Sequence, residues 1–291
     1  MDHRTFYEEY KSFLFSVAYK MLGSVKDAED IVQDVFVQLE KMDISSLQDP
    51  KAYLTKMTTN KCLNLLQSAR KKREVYPGPW LPEPIVETMV NEPLEQLLKE
   101  ESISYAFVVL LHQLTELERC VFLLREILSY DYKSIAEILR RSEQSCRKVF
   151  SRAKRKLQEN INAPKATKEE VHQLANLFLE AVDSGNFEPF IDQLSKDVVL
   201  LSDGGGKVLS AMYPIYDKHR VAAYIRGIHK RGTFDGELSL IHVNGEIGIL
   251  QRRQGKPIKI LTFHYTKNGI ENIYVVMNPE KLNKIGHNYS F

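Results

Sequence analysis

Residues 114–157 read LTELERCVFLLREILSYDYKSIAEILRRSEQSCRKVFSRAKRKL: helical pattern, a short break, and a strongly basic second helix. Past Ser142, placed to cap the first turn, Cys146, Val149, Phe150, Ala153 and Leu157 recur at helical spacing and form one apolar stripe. That stripe must face protein. Gln144, Arg147, Lys148, Ser151, Arg152 and Arg155 then occupy the other side, where cations suit phosphates and the amide and hydroxyl suit base edges in a major groove. A basic amphipathic helix can also be only a solvated face. The preceding helix argues otherwise, because Ile135, Ala136, Ile138 and Leu139 give a small-plus-branched face for close crossing, and only Arg140–Ser142 separates the two. The pair reads as a helix-turn-helix, with duplex DNA as the expected partner.

Composition sets the outer limits. At 291 residues and 43% hydrophobic content the chain can build two or three ordinary cores. The net charge of +2 conceals segregation, since Arg140–Lys156 holds eight cations and one acid whereas Ser24–Asp34 is acidic. No apolar run approaches the ~20 residues needed to span a bilayer, and Met1-Asp2-His3-Arg4 is no signal-peptide core. A cytoplasmic protein without a membrane partner is expected. Cys62, Cys120 and Cys146 lie far apart in apolar or helical patterns, with no zinc-like His/Cys spacing, so they read as reduced structural residues and no metal or other cofactor is expected.

Towards the amino terminus, Phe6, Tyr10, Phe13, Leu14, Val17, Met21 and Leu22 form the buried stripe of a first helix that stops at Gly23. Ser24 with Asp27 starts a second, whose stripe is Ala28, Ile31, Val32, Val35, Phe36 and Leu39, leaving Asp30, Gln33, Asp34 and Gln38 outside. Asp49-Pro50 opens a third helix running through Arg70–Arg73. Lys56, Asn60 and Asn64 share one of its faces. Asparagine is a poor interior helix former, so two on one face ask for an external reason, although Asn is also an ordinary surface residue.

Together these segments resemble region 2 and region 4 of bacterial sigma factors, specifically the extracytoplasmic-function group. Asp27–Phe36, DAEDIVQDVF, is similar to that family's region 2.2 signature, and the resemblance implies that Asp30, Gln33 and Asp34 dock on core RNA polymerase. Asp49–Asn64 resembles regions 2.3 and 2.4, which implies that Lys56, Asn60 and Asn64 hold the separated strand of the promoter −10 element, with Leu47–Lys51 as base pocket. Residues 114–157 resemble region 4, so Gln144, Ser145, Arg147, Lys148, Ser151 and Arg152 are the implied readers of −35 duplex. A basic helix can read intact duplex, whereas capturing a flipped −10 base requires partners that offset a few kcal/mol of unstacking. The family uses no ATP, and no glycine loop of the phosphate-cradling kind contradicts this.

Tyr76–Pro84, YPGPWLPEP, carries four prolines and the only tryptophan, Trp80, and cannot be helical. A stiff spacer would account for it. The WLPEP string, however, resembles a signature of sigma factors with a fused SnoaL-like carboxy-terminal domain, the Sigma-J-like subgroup. Asp203-Gly204-Gly205-Gly206-Lys207 and Asn278-Pro279-Glu280-Lys281-Leu282 match its two further signatures, with Glu280 where Asp is more usual. Trp80 and these ten residues are the expected regulatory contacts.

The carboxy-terminal third also reads independently. Thr167 with Glu170 forms a capping box for a helix that stops at Gly185. Strands are expected at Val198–Ser202, Leu238–Val243, Ile247–Gln251, Ile258–Tyr265 and Ile270–Val276, with hairpin turns at Asn244-Gly245 and Asn268-Gly269 and a helix near Asp217–Ile228. The expected fold is two all-α units, a region 2 bundle and a region 4 helix-turn-helix, followed by an α+β SnoaL-like cone with a curved antiparallel sheet. Its boundaries are 1–73, a linker at 74–98, 99–162, and 163–291.

Cones of this kind hold a pocket in polyketide cyclases and ketosteroid isomerases. A small-molecule ligand is therefore a candidate partner, and a cyclase or isomerase fused to a DNA-binding module is a rival reading that would need a buried base such as Asp203, His229, His242 or His264. Their spacing is not diagnostic, and no enzyme is expected. A ligand-sensing helix-turn-helix regulator is the other rival. It has no use for the acidic-polar helix at Asp27–Phe36.

Overall fold

The computed structural model describes residues 3–40, 42–44, 47–74, 76–86, 104–161, 166–283 and 285. The expected linker beyond residue 86 lies outside them. Helix α1 (His3–Leu22) ends at Gly23, whose φ of 66° reverses the chain, and α2 (Val25–Leu39) starts at Ser24, whose hydroxyl accepts the Asp27 N–H. In α3 (Pro50–Glu74) the Asp49 carboxylate caps the first turn at the Ala52 N–H. Leu14 and Met21 from α1, Ala28 and Val35 from α2, and Leu54 and Cys62 from α3 bury their apolar faces together.

A second helical group comprises α4 (Tyr105–Leu111), α5 (Glu116–Phe122), α6 (Tyr132–Leu139) and α7 (Glu143–Ile161). Thr115 and Glu118 form a capping box on α5, which continues into a π-helical turn at Leu123–Ile127. The turn between α6 and α7 is made by Arg140 in the left-handed conformation, and Ser142 caps α7 at the Ser145 N–H.

The last unit holds α8 (Lys168–Ser184), α9 (Glu188–Asp192), β1 (Leu194–Asp203), β2 (Ile215–Tyr216), α10 (Lys218–His229), β3 (Glu237–Val243), β4 (Glu246–Arg253), β5 (Lys256–Thr266), β6 (Gly269–Val276) and α11 (Pro279–Leu282). The strands form one sheet in the order β2-β1-β6-β5-β4-β3. It is mixed rather than wholly antiparallel as expected, because β1 lies parallel to β6. Tight turns force β3–β6 into antiparallel neighbours, while the long excursion from β1 to β6 permits a parallel pair.

Both faces of this sheet are buried. Ile249, Leu261, Ile273 and Val275 close on Phe178, Phe187, Phe190 and Phe234 inside the cone. Leu250, Ile260, Tyr274 and Val276, one residue out of phase, join the core of the helical groups instead. One continuous apolar cluster therefore runs from α1–α7 into the outer face of the sheet.

Candidate nucleic-acid interface

The basic face of α7 is solvated. Gln144, Arg147, Lys148, Ser151 and Arg152 are exposed, Ser145 is half-buried, and Cys146, Val149, Ala153 and Leu157 are buried beneath them. The Arg147 guanidinium lies 4.2 Å from the centre of the Tyr132 ring and 3.6 Å from Glu143, which holds it over the start of α6. Tyr132 was not marked by the sequence pattern. An aromatic at the first position of the supporting helix was the available signal.

On α2, Asp30, Gln33 and Asp34 are exposed, and so is Val37 at 56%, an apolar neighbour three and four residues on. Asp34 approaches Lys61 at 3.5 Å, an exposed pair of small energetic weight. On α3, Asn64 is exposed, whereas Lys56 and Asn60 are half-buried. The Asn60 amide donates to the Ile138 carbonyl of α6 at 3.3 Å, and nearby the Tyr130 hydroxyl donates to Thr55 at 3.2 Å. The helix-turn-helix thus sits against the face of α3 that carries Asn60.

What holds the parts together converges on Asp203, which is fully buried at the end of β1. One carboxylate oxygen accepts the Tyr76 hydroxyl at 2.5 Å and the Gly205 N–H at 3.0 Å; the other accepts the Leu81 N–H at 2.9 Å and the Lys281 ammonium at 2.8 Å. Its backbone carbonyl accepts the N–H groups of Met277 and Asn278. Lys281 also donates to the Leu81 carbonyl and lies 4.2 Å from the centre of the Trp80 ring. The Asn278 amide donates to the Tyr76 hydroxyl at 2.9 Å. Burial and then the Asp203 carboxylate push the Tyr76 phenol well above its usual range. Gly205 and Gly206 both have positive φ, and side chains there would collide with Asn278 and Pro77 respectively. Lys207 pairs with Glu280, and Leu282 is buried in the shared core. Trp80, the Asp203–Lys207 turn and the Asn278–Leu282 tail thus meet at one place.

The same proline-rich segment then reaches the helices. The Glu83 carboxylate accepts the Val25 N–H at 2.7 Å and the Ser24 hydroxyl at 3.2 Å, which places an anion at the start of α2. The Glu83 carbonyl accepts from Tyr19, and the Pro82 carbonyl accepts from Tyr105 of α4, each at 2.7 Å. Asn244 exchanges two hydrogen bonds with the Ile85 backbone and gives a third to Tyr19 at 3.1 Å. The sequence pattern marks Asn244 only as a hairpin turn and does not single out Glu83. The glutamate inside WLPEP was the one signal for it.

The cone also encloses a cavity of about 250 Å³ lined by Phe178, Tyr224 and Leu261 among others, with no Asp, Glu or His among its described lining residues. Asp203 is spent on the interdomain contacts, His229 bonds the Val182 carbonyl, His264 faces Asn272, and His242 is exposed. The carboxylate or imidazole base required by cyclase chemistry is not on this wall. All three cysteines are buried and unbridged; burial raises each thiol, Cys120 to about 12. No described helix is long and apolar enough to cross a membrane, and no group of His, Cys, Asp and Glu among the described residues is arranged to hold a metal.

Comparison with known proteins matches residues 6–72 to the Sigma-70 region 2 family and 105–157 to the Sigma-70, region 4 family. The chain is 31% identical over 247 residues to the ECF RNA polymerase sigma factor SigJ of Mycobacterium tuberculosis (strain ATCC 25618 / H37Rv), covering 83% of this chain and 78% of that one. It is 26% identical over 191 residues to the Probable ECF RNA polymerase sigma factor SigI of Mycobacterium tuberculosis (strain CDC 1551 / Oshkosh), covering 65% of this chain and 66% of that one. The crystal structure of the Mycobacterium tuberculosis extracytoplasmic function sigma factor SigJ superposes with a TM-score of 0.78 at 26% identity, over 96% of this chain and 98% of that one. With a region 2 bundle, a region 4 helix-turn-helix and a third domain packed on both, the chain belongs to the extracytoplasmic-function family of RNA polymerase sigma factors, non-catalytic subunits that direct core polymerase to promoters.

Proposed function

We propose that this sigma factor is held closed by its carboxy-terminal domain and opens when it engages core RNA polymerase and promoter DNA. Asp30, Gln33 and Asp34 dock on polymerase, Lys56, Asn60 and Asn64 hold the opened −10 strand, and Gln144, Ser145, Arg147, Lys148, Ser151 and Arg152 read −35 duplex. The units divide at 1–73, 74–98, 99–162 and 163–291. The observation that carries the reading is the Asn60 bond to Ile138 at 3.3 Å, which occupies a −10 residue with the −35 module. The two elements lie about 25 base pairs apart, roughly 85 Å at ~3.4 Å per step. A compact chain of this length has a radius of gyration of about 19 Å, roughly 50 Å across. A closed form as compact as that would fall short of reaching both elements at once.

Asp203 is the clasp, since it joins the proline-rich segment to the carboxy-terminal tail. Run-off transcription with core polymerase and a random promoter library, using the full chain and Asp203→Asn, tests the proposal. Selection of a bipartite promoter by the full chain, with altered output from the variant, is expected. Equal output from both chains would sink the clasp, and output without a −35 preference would sink the division of labour.

A further inference from the structure

We infer that the cone binds an amphipathic monocarboxylic acid, whose apolar part fills the cavity and whose carboxylate meets Lys259. The cavity, about 250 Å³, is walled by Phe178, Leu200, Phe234, Leu261 and Ile273. An apolar cavity of roughly 150 Å³ admits benzene, so by that scale this one accepts about ten heavy atoms. Against this apolar wall stands a single buried cation: Lys259 is 3% exposed.

Its ammonium donates to the Thr233 carbonyl at 2.9 Å and lies 4.5 Å from the centre of the Phe234 ring. An ammonium has three donors, so two are left for a ligand. No carboxylate among the described residues pairs with it, and the charge that acts on it is that of another cation, Arg253. A buried charge without a counter-ion is costly, and that cost is removed by an anionic ligand. The second charged lining residue, Arg231, is exposed and also cationic. The electrostatics favour an acid over an alcohol or amine.

The cavity adjoins the clasp. Leu209, Ser210 and Ala211 line it, and Leu209 is 92% exposed, on the loop that leaves Asp203 and returns at Ile215. The backbone of that loop at Met212 lies against Gly78 of the proline-rich segment. Met277 also lines the cavity, and its N–H donates to the Asp203 carbonyl at 2.8 Å. Any part in control rests on the closed-to-open reading above. Binding is measured separately, so failure of one can be told from failure of the other.

Isothermal titration of the full chain with octanoate and 3-phenylpropanoate, each against its alcohol, tests the site. Each acid should bind at least tenfold more tightly than its alcohol. Lys259→Met should abolish that preference while retaining the alcohols. Equal affinity for acid and alcohol in the wild-type chain, no binding of either, or an acid preference that survives Lys259→Met in a folded variant would overturn the assignment. If the variant does not fold, the wild-type comparison alone decides.

Discussion

At the residue scale, two buried lysines have opposite surroundings. Lys281 faces Asp203 at 2.8 Å with both groups nearly sealed from solvent, and removing one partner of such a pair costs far more than removing both. Lys281→Met should therefore lower stability by about 3–5 kcal/mol, and the double variant with Asp203→Asn should lose clearly less than the sum of the two singles. Denaturant unfolding of the four chains measures this; simple additivity would show that the pair is not coupled. Lys259 has no such partner, and burial, followed by repulsion from Arg253, pushes its ammonium down from 10.5 to about 8. Below pH 8 it is charged both folded and unfolded, so the fold carries the full penalty; the penalty falls between pH 8 and 10.5 and is gone above 10.5, where both forms are neutral. Lys259→Met should thus be more stable than wild type by on the order of 1–3 kcal/mol below pH 8. That advantage should shrink as pH rises to 10.5. A difference that does not change with pH would mean that the lysine is not charged in the cone.

At the scale of elements, the proposed function gives three helices separable tasks. Arg147→Ala or Arg152→Ala on α7 should weaken binding of −35 duplex, and loss of a phosphate contact should lower the salt slope by about one unit. Asn60→Ala and Asn64→Ala on α3 should leave duplex binding intact and reduce permanganate reactivity of the −10 strand in the polymerase complex; normal melting would remove them from that role. Asp30→Lys with Asp34→Lys on α2 reverses exposed charges opposite the buried stripe, so the fold should survive while co-purification with core polymerase falls. α2 and α7 were legible because each shows one apolar stripe and one polar face at a single period, whereas α3 was read from Asp49-Pro50 at its start. The caps at Ser24, Ser142 and Thr167 were local and equally visible, whereas the capping box at Thr115 went unmarked. The sheet was legible strand by strand but not as a sheet, since the parallel β1–β6 pair joins segments some seventy residues apart in number, as in Leu200 opposite Ile273. Burial of both its faces was hidden for the same reason. The motif at Asp203 could be recognised, yet its partners Tyr76 and Leu81 lie 127 and 122 positions away, beyond any local pattern.

At the scale of the molecule, the question is whether the closed form can open at a cost that polymerase can meet. Turning a 99:1 population into 1:99 takes about 5.5 kcal/mol. Opening solvates Asp203 and Lys281 together, so loss of their pairing is largely offset by hydration, and exposure of the Leu282 side chain, at about 1.5–3 kcal/mol, is the clearer cost and lies within that amount. The carboxy-terminal tail supplies both contacts. Deleting the chain from Asn278 onward should therefore release the proline-rich segment and shift the free protein to an expanded form, although Glu83 and Asn244 still hold part of the interface. Trp80 is the only tryptophan, and it lies 4.2 Å from Lys281 and 4.9 Å from the centre of the His112 ring, so it reports on the same junction. The truncated chain should show a larger radius of gyration in small-angle scattering, a red-shifted tryptophan emission, and a changed transcription output with core polymerase. Identical dimensions, emission and output would leave the third domain a passenger on an already competent sigma factor.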